Sequence, residues 1–187
     1  MPHAGCPHQC SFCNQKTISG SIKPLTPEDV TAACDIAKNG GVTRETSEIA
    51  FFGGSFTAVD RDYMVSLLEA AKPYIDGGYF GGIRISTRPD AIDDERLEIL
   101  KKYHVTSIEL GAQSMDDSVL KINRRGHTAK DVENASHLIK SYGFSLGLQM
   151  MTGLMGDTDE KCIKTAERLI ALSPDTVRIY PTIVLEN

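Results

Sequence analysis

A single α/β domain built on a parallel sheet is the fold class this 187-residue sequence predicts, and three observations predict it. Short apolar runs of strand length alternate with amphipathic segments of helix length from about residue 25 to the end, with no linker or low-complexity tract between them. One helical segment separates each pair of strands, which implies parallel pairing through right-handed crossovers. Glycines and polar residues recur at the strand ends, at 53–55, 86–88, 111–113, 149–153 and 181–182. In a barrel those ends converge on one face, whereas in an open sheet only the strands at the switch point share a ligand. Five such ends favour the barrel.

The elements follow in order. The first helix opens with Thr26 as its cap, Pro27 at the first helical position and Glu28 and Asp29 in the first turn, and closes near Gly40. A strand is predicted over 48–52, then a helix with Met64, Leu67, Leu68 and Ala71 on one face that Pro73 is expected to stop. Next come a strand over 83–87, a helix over 94–103 and a strand over 106–110. A helical turn over 116–122 precedes a helix over 128–142, which Gly143 ends. A strand over 145–151, a helix over 158–172 and a last strand over 176–180 complete the set.

With 41% hydrophobic and 24% charged residues, the composition excludes disordered and fibrous classes. No apolar run approaches the roughly 18 residues of a membrane span, and Met1-Pro2-His3 does not begin a secretory leader, so a cytoplasmic location without membrane contact is expected. A net charge of -5 is a poor footprint for coating nucleic acid. Five cysteines is an odd count for a disulfide scaffold, and three of them crowd one end, which suits metal chemistry in a reducing compartment.

Those three, Cys6, Cys10 and Cys13, have Cys-x3-Cys-x2-Cys spacing and present three thiolates from one loop. A 4Fe-4S cube normally takes four thiolates, one per iron, so three would leave one iron open to an outside ligand. The same loop could be a zinc knuckle completed by His3 or His8, or Cys10 and Cys13 could form a redox pair. Cys34 lies within the first helix and Cys162 on an apolar face with Ala166 and Leu169, and both read as core. His127 reads as satisfying the turn before Thr128, His104 and His137 as surface residues, and Lys121, Arg124 and Arg125 as a basic patch too slight to argue for nucleic acid.

The cysteine loop, with Phe12 just before the third cysteine, does not stand alone. It is followed in order by Phe52-Gly53-Gly54-Ser55-Phe56-Thr57, Ser86-Thr87-Arg88-Pro89-Asp90, Glu109-Leu110-Gly111-Ala112-Gln113-Ser114, Asn123-Arg124-Arg125-Gly126-His127-Thr128 and Arg178-Ile179-Tyr180-Pro181-Thr182. Together these blocks resemble the radical SAM (S-adenosylmethionine) superfamily, closest to the catalytic subunit of Elongator and more distantly to oxygen-independent coproporphyrinogen III oxidase. The resemblance implies a partial (β/α)6 TIM-like barrel. It also implies a 4Fe-4S cluster on Cys6, Cys10 and Cys13 that reductively cleaves SAM to a 5'-deoxyadenosyl radical for hydrogen abstraction, with an external electron donor. The Elongator-like branch modifies the wobble uridine of tRNA; the other branch acts on a tetrapyrrole.

Site roles follow from the resemblance, one position at a time. Gly53 and Gly54, which could equally form an ordinary turn, match the block that holds the methionyl amino group. Gln113 and Arg125 match residues that contact SAM, and a guanidinium suits its carboxylate. Phe12 is expected against the cluster or adenine, or simply in the core. Ser86 stands where the Elongator-like pattern usually has Glu, while Gln149 and Met151 match positions near the adenosyl group in the coproporphyrinogen oxidase branch. Residues 1–187 are expected to be a radical SAM core shortened at both ends relative to the family, without its first strand, so that tRNA would be held through segments absent here.

Overall fold

The computed structural model of the protein describes residues 10–13 and 23–183. Thr26 caps α1 (Pro27–Asn39) through a reciprocal capping box with Asp29, which accounts for two of the free amide groups at the helix start. The chain then alternates: β1 (Ile49–Phe51), α2 (Arg61–Asp76), β2 (Ile83–Thr87), α3 (Asp94–Lys102), β3 (Val105–Gln113), α4 (Asp117–Ile122), α5 (Ala129–Ser141), β4 (Ser145–Thr152), α6 (Asp159–Ala171) and β5 (Thr176–Pro181). All strand pairs are parallel and the strands lie in chain order, β1-β2-β3-β4-β5, giving a half-barrel with helices on its outer side.

Alternation along the strands separates two layers. Ile108, Leu110 and Ala112 of β3 join Leu67, Leu97, Ile139 and Leu148 in the core between sheet and helices. Glu109, Gly111 and Gln113 lie on the other face of the same strand, toward the inside of the half-barrel. At the β5 edge the outer layer thins, leaving Val177 and Ile179 exposed, together with Ile163 and Ile170 of α6.

Two expectations are corrected. Pro73 does not stop α2, which runs on to Asp76. A proline costs the helix one hydrogen bond, but Tyr74 and Ile75 beyond it still pack against the core, and the Tyr74 hydroxyl donates to Asp35 on α1 at 2.7 Å. β3 extends three residues past Leu110 because Gly111 and Gln113 keep pairing with Gln149 and Met150 across an irregularity. The sequence places Gly111-Ala112-Gln113 at or just past the end of this strand. Gly111 is instead a point of close approach, where an added Cβ would sit 2.8 Å from Gln113 Nε2 and 3.1 Å from Arg125 Nη2.

Candidate active site

The C-terminal ends of the strands open onto a cavity of about 410 Å³. On its β1 side, Gly53 and Gly54 have φ of 89° and 117°, a region that glycine enters without strain. The loop they begin is tied to β2 by buried hydroxyls: Thr87 Oγ1 is 2.8 Å from Ser55 Oγ and 2.5 Å from Thr57 Oγ1. Ser86 precedes Thr87 and lines the cavity.

Arg88 is buried and grips Asp90 with two bonds of 2.9 Å, while its Nη2 also donates to the main-chain oxygen of Arg125 at 2.7 Å. Burial alone would raise the Asp90 carboxyl, but Arg88 outweighs it and holds the group below the usual range. Arg125, fixed this way, sends Nη2 to Gly111 O at 2.6 Å and Nη1 to Cys10 Sγ at 3.4 Å. Its Nε is buried with no hydrogen-bond partner among the described residues. Arg125 therefore does not belong to the surface basic patch read from the sequence.

Gln113 closes β3 with φ of 66°, a strained value for a residue with a side chain, and its Oε1 accepts from Gln149 Nε2 at 3.2 Å. Met151, Tyr180 and Pro181 form the β4–β5 wall. Opposite stand Phe12, Cys10 and Cys13, the last two joined in a turn by Cys13 N donating to Cys10 O at 3.1 Å.

All the residues singled out from the sequence that lie within the described part, namely Phe12, Gly53, Gly54, Ser86, Gln113, Arg125, Gln149, Met151, Cys10 and Cys13, border this one cavity. Cys6 lies outside the described residues, among which no cluster of three metal-ligating side chains occurs. Cys34 is buried in α1, where burial pushes its thiol up to about 11, and Cys162 is raised for the same reason. Neither lines the cavity.

Sequence reasoning missed Glu109, which also borders the cavity and pairs with Arg178 Nε at 3.0 Å while Arg178 stacks on Phe52 at 5.0 Å. Burial raises the Glu109 carboxyl, and Arg178 and Arg84 offset this in part. A charged residue inside the apolar stretch Ile108-Glu109-Leu110 was the available signal, since a strand buried on both faces is ordinarily apolar throughout. His127, behind the site, has its imidazole lowered from 6.5 to about 4 by burial and by the charge on Arg125.

A parallel half-barrel that gathers thiols, an anchored guanidinium and glycine backbone at the C-terminal ends of its strands defines an α/β enzyme built around a cofactor. The sequence profile of the Radical SAM superfamily matches residues 1–169, and the chain belongs to that family, whose cofactors are a 4Fe-4S cluster and SAM. The chain is 25% identical over 218 residues to a tRNA uridine(34) acetyltransferase of Dehalococcoides mccartyi, covering 97% of this chain and 47% of that protein. It superposes on the archaeal Methanocaldococcus infernus Elp3 with a TM-score of 0.73 at 22% identity, covering 100% of this chain and 48% of that one. On the coproporphyrinogen III oxidase HemN of Escherichia coli the TM-score is 0.71 at 18% identity, with 97% and 43% covered. The chain thus spans about half the length of these relatives. No helix among the described residues is long and apolar enough to cross a membrane.

The site's donor chemistry fits the family cofactors. Two thiols face the cavity from one turn, and a cationic side chain with an unpartnered buried N–H beside them suits an anionic group. The cavity's volume falls within the range of small-molecule sites.

Proposed function

We propose that residues 1–187 form one radical SAM core of the Elongator-like kind, acting in the cytoplasm in the modification of tRNA wobble uridine and drawing on an external electron donor. The observation that carries this reading is the single cavity bordered by Cys10, Cys13, Gly53, Gly54, Gln113 and Arg125. When bound, the cluster and SAM supply one-electron cleavage to a 5'-deoxyadenosyl radical, which abstracts hydrogen.

The chain's own residues position these parts. Cys6, Cys10 and Cys13 would hold the cluster as thiolates. Arg125 would receive the carboxylate of SAM through its buried guanidinium, and the backbone after β1 at Gly53 and Gly54 would accept the amino group. Gln113, its amide orientation set by Gln149, would contact the cofactor with Ser86. Phe12 and Met151 would contribute apolar surface near the adenosyl group and exclude water. The tRNA would be held through segments outside this chain.

The test is anaerobic reconstitution: four irons per chain, and 5'-deoxyadenosine released from SAM upon reduction, support the reading. Tightly bound zinc and no SAM cleavage would replace it with a zinc-knuckle module. Arg125→Ala should retain iron but weaken SAM binding by about 1.5–3 kcal/mol, the worth of a hydrogen bond to a charged group, as read by isothermal titration. Unchanged SAM affinity would remove Arg125 from the site. With a net charge of -5, the isolated chain should bind tRNA only weakly at about 0.15 M salt in a filter-binding titration. Submicromolar affinity would mean that the barrel itself carries the tRNA site.

A further inference from the structure

We infer that Asn123 is a positioning residue that clasps the cysteine loop to the body of the half-barrel, an inference that rests on Cys10 and Cys13 being cofactor ligands. Asn123 follows α4 and is 1% exposed, yet its polar groups are partnered. Nδ2 donates to Val119 O at 2.8 Å and to Met155 O at 2.9 Å, anchoring the residue to α4 and to the segment after β4. Oδ1 accepts from Ser11 Oγ at 2.9 Å, and the main-chain oxygen accepts from Ser11 N at 3.2 Å. Ser11 sits between the two cysteines, so these bonds fix the turn that aims both thiols.

The residues after Asn123 complete the clasp. Arg124 has φ of 54°, a left-handed conformation unusual for a side-chain-bearing residue, and the reversal brings Arg125 back toward Cys10 Sγ at 3.4 Å. Arg125 N bonds to Leu120 O at 2.9 Å and its carbonyl receives Arg88, so the turn is held from both sides. Three contacts from the loop, made by Ser11 N, Ser11 Oγ and Cys10 Sγ, therefore end on one rigid turn. Ligands on a short loop need such support to keep their geometry.

Asparagine is the residue type this position requires. Aspartate would keep an acceptor for Ser11 but place an oxygen against the carbonyls of Val119 and Met155; Met155 would lose its donor and Val119 would keep only the main-chain N–H of residue 123. Alanine would remove the partner of Met155 O and of the Ser11 hydroxyl and leave Val119 O with the main-chain N–H of residue 123 alone.

The test is the rate at which iodoacetamide alkylates Cys10 in the reduced, metal-free chain, resolved by mass spectrometry with buried Cys34 as the internal control. Ser11→Ala, which removes one hydrogen bond, should speed Cys10 alkylation about fivefold, Asn123→Asp, which removes two, should speed it at least as much, and both should leave Cys34 unchanged. Ser11→Thr, which keeps the hydroxyl, should restore the original rate. Unchanged Cys10 rates, or Cys34 accelerating in step with Cys10, would overturn the clasp. If Asn123→Asp fails to fold, the exposed position Ser11 decides through the Ala and Thr pair. Because the assay uses no iron, a chain that never takes up a cluster would sink the proposed function and leave this measurement standing.

Discussion

Replacing Cys10 with alanine should yield a folded chain that neither retains a four-iron cluster nor cleaves SAM, while Cys34→Ala and Cys162→Ala keep both. An iron without its thiolate destabilises the whole cube, so as the proposed ligands Cys6, Cys10 and Cys13 would act as a unit, and no graded loss is expected. Cys10 faces the cavity, whereas Cys34 is held as a neutral thiol with its value pushed to about 11. A thiol in that state is a core side chain and not a ligand. Iron and sulfide analysis, with 5'-deoxyadenosine as the product measured, checks all three variants. Cluster retention and product formation in Cys10→Ala would remove the ligand assignment.

The second large effect concerns pH and needs no cofactor. His127 is neutral in the folded chain down to about pH 4, because burial and the nearby Arg125 charge disfavour the imidazolium. Its Nε2 lies 3.2 Å from Ala112 O and would donate to it as the neutral tautomer. The unfolded chain takes up a proton on this residue below about 6.5, so between those values it binds more protons than the folded state. Stability from this group is therefore complete above pH 6.5, falls as pH drops toward 4, and amounts to about 3 kcal/mol at most. Glu109 works in the opposite sense, since its carboxyl is raised by burial. Urea denaturation of wild type and His127→Gln between pH 7 and 4 isolates the histidine, and parallel stability curves would refute the assignment.

The order of elements was legible because it rests on local signals: the Thr26 and Thr128 caps, the apolar faces of α2 and α5, and the short apolar runs of the strands. Strand ends were less legible, as β3 shows: it runs past Leu110 by pairing with β4, and Gly111 there is approached closely by the side chains of Gln113 and Arg125, neither of which a local pattern announces. The residues bordering the cavity were legible as motifs. Their supports were not: Arg88 reads in sequence as an ordinary charge, yet its role depends on Asp90 and the carbonyl of Arg125. Glu109 and Arg178 pair across β3 and β5, elements that are not adjacent in the sheet, and no local pattern announces such a partner.

The contact between Ser11 and Asn123 joins residues 112 positions apart, and this bears on how the molecule folds. Closing so long a loop in an unfolded chain costs about 4 kcal/mol in entropy, more than two hydrogen bonds of about 1 kcal/mol each return. The cysteine segment therefore cannot dock early. The sheet, by contrast, grows between neighbours in chain order, so β1 to β3 and the turn after α4 can assemble first and bring Asn123 near the place where Ser11 must arrive. On a ribosome, Cys10 and Cys13 emerge more than a hundred residues ahead of the asparagine that holds their loop. If these thiols are the cluster ligands proposed above, metal delivered during synthesis would meet them untethered, and loading would fall after the central strands have closed.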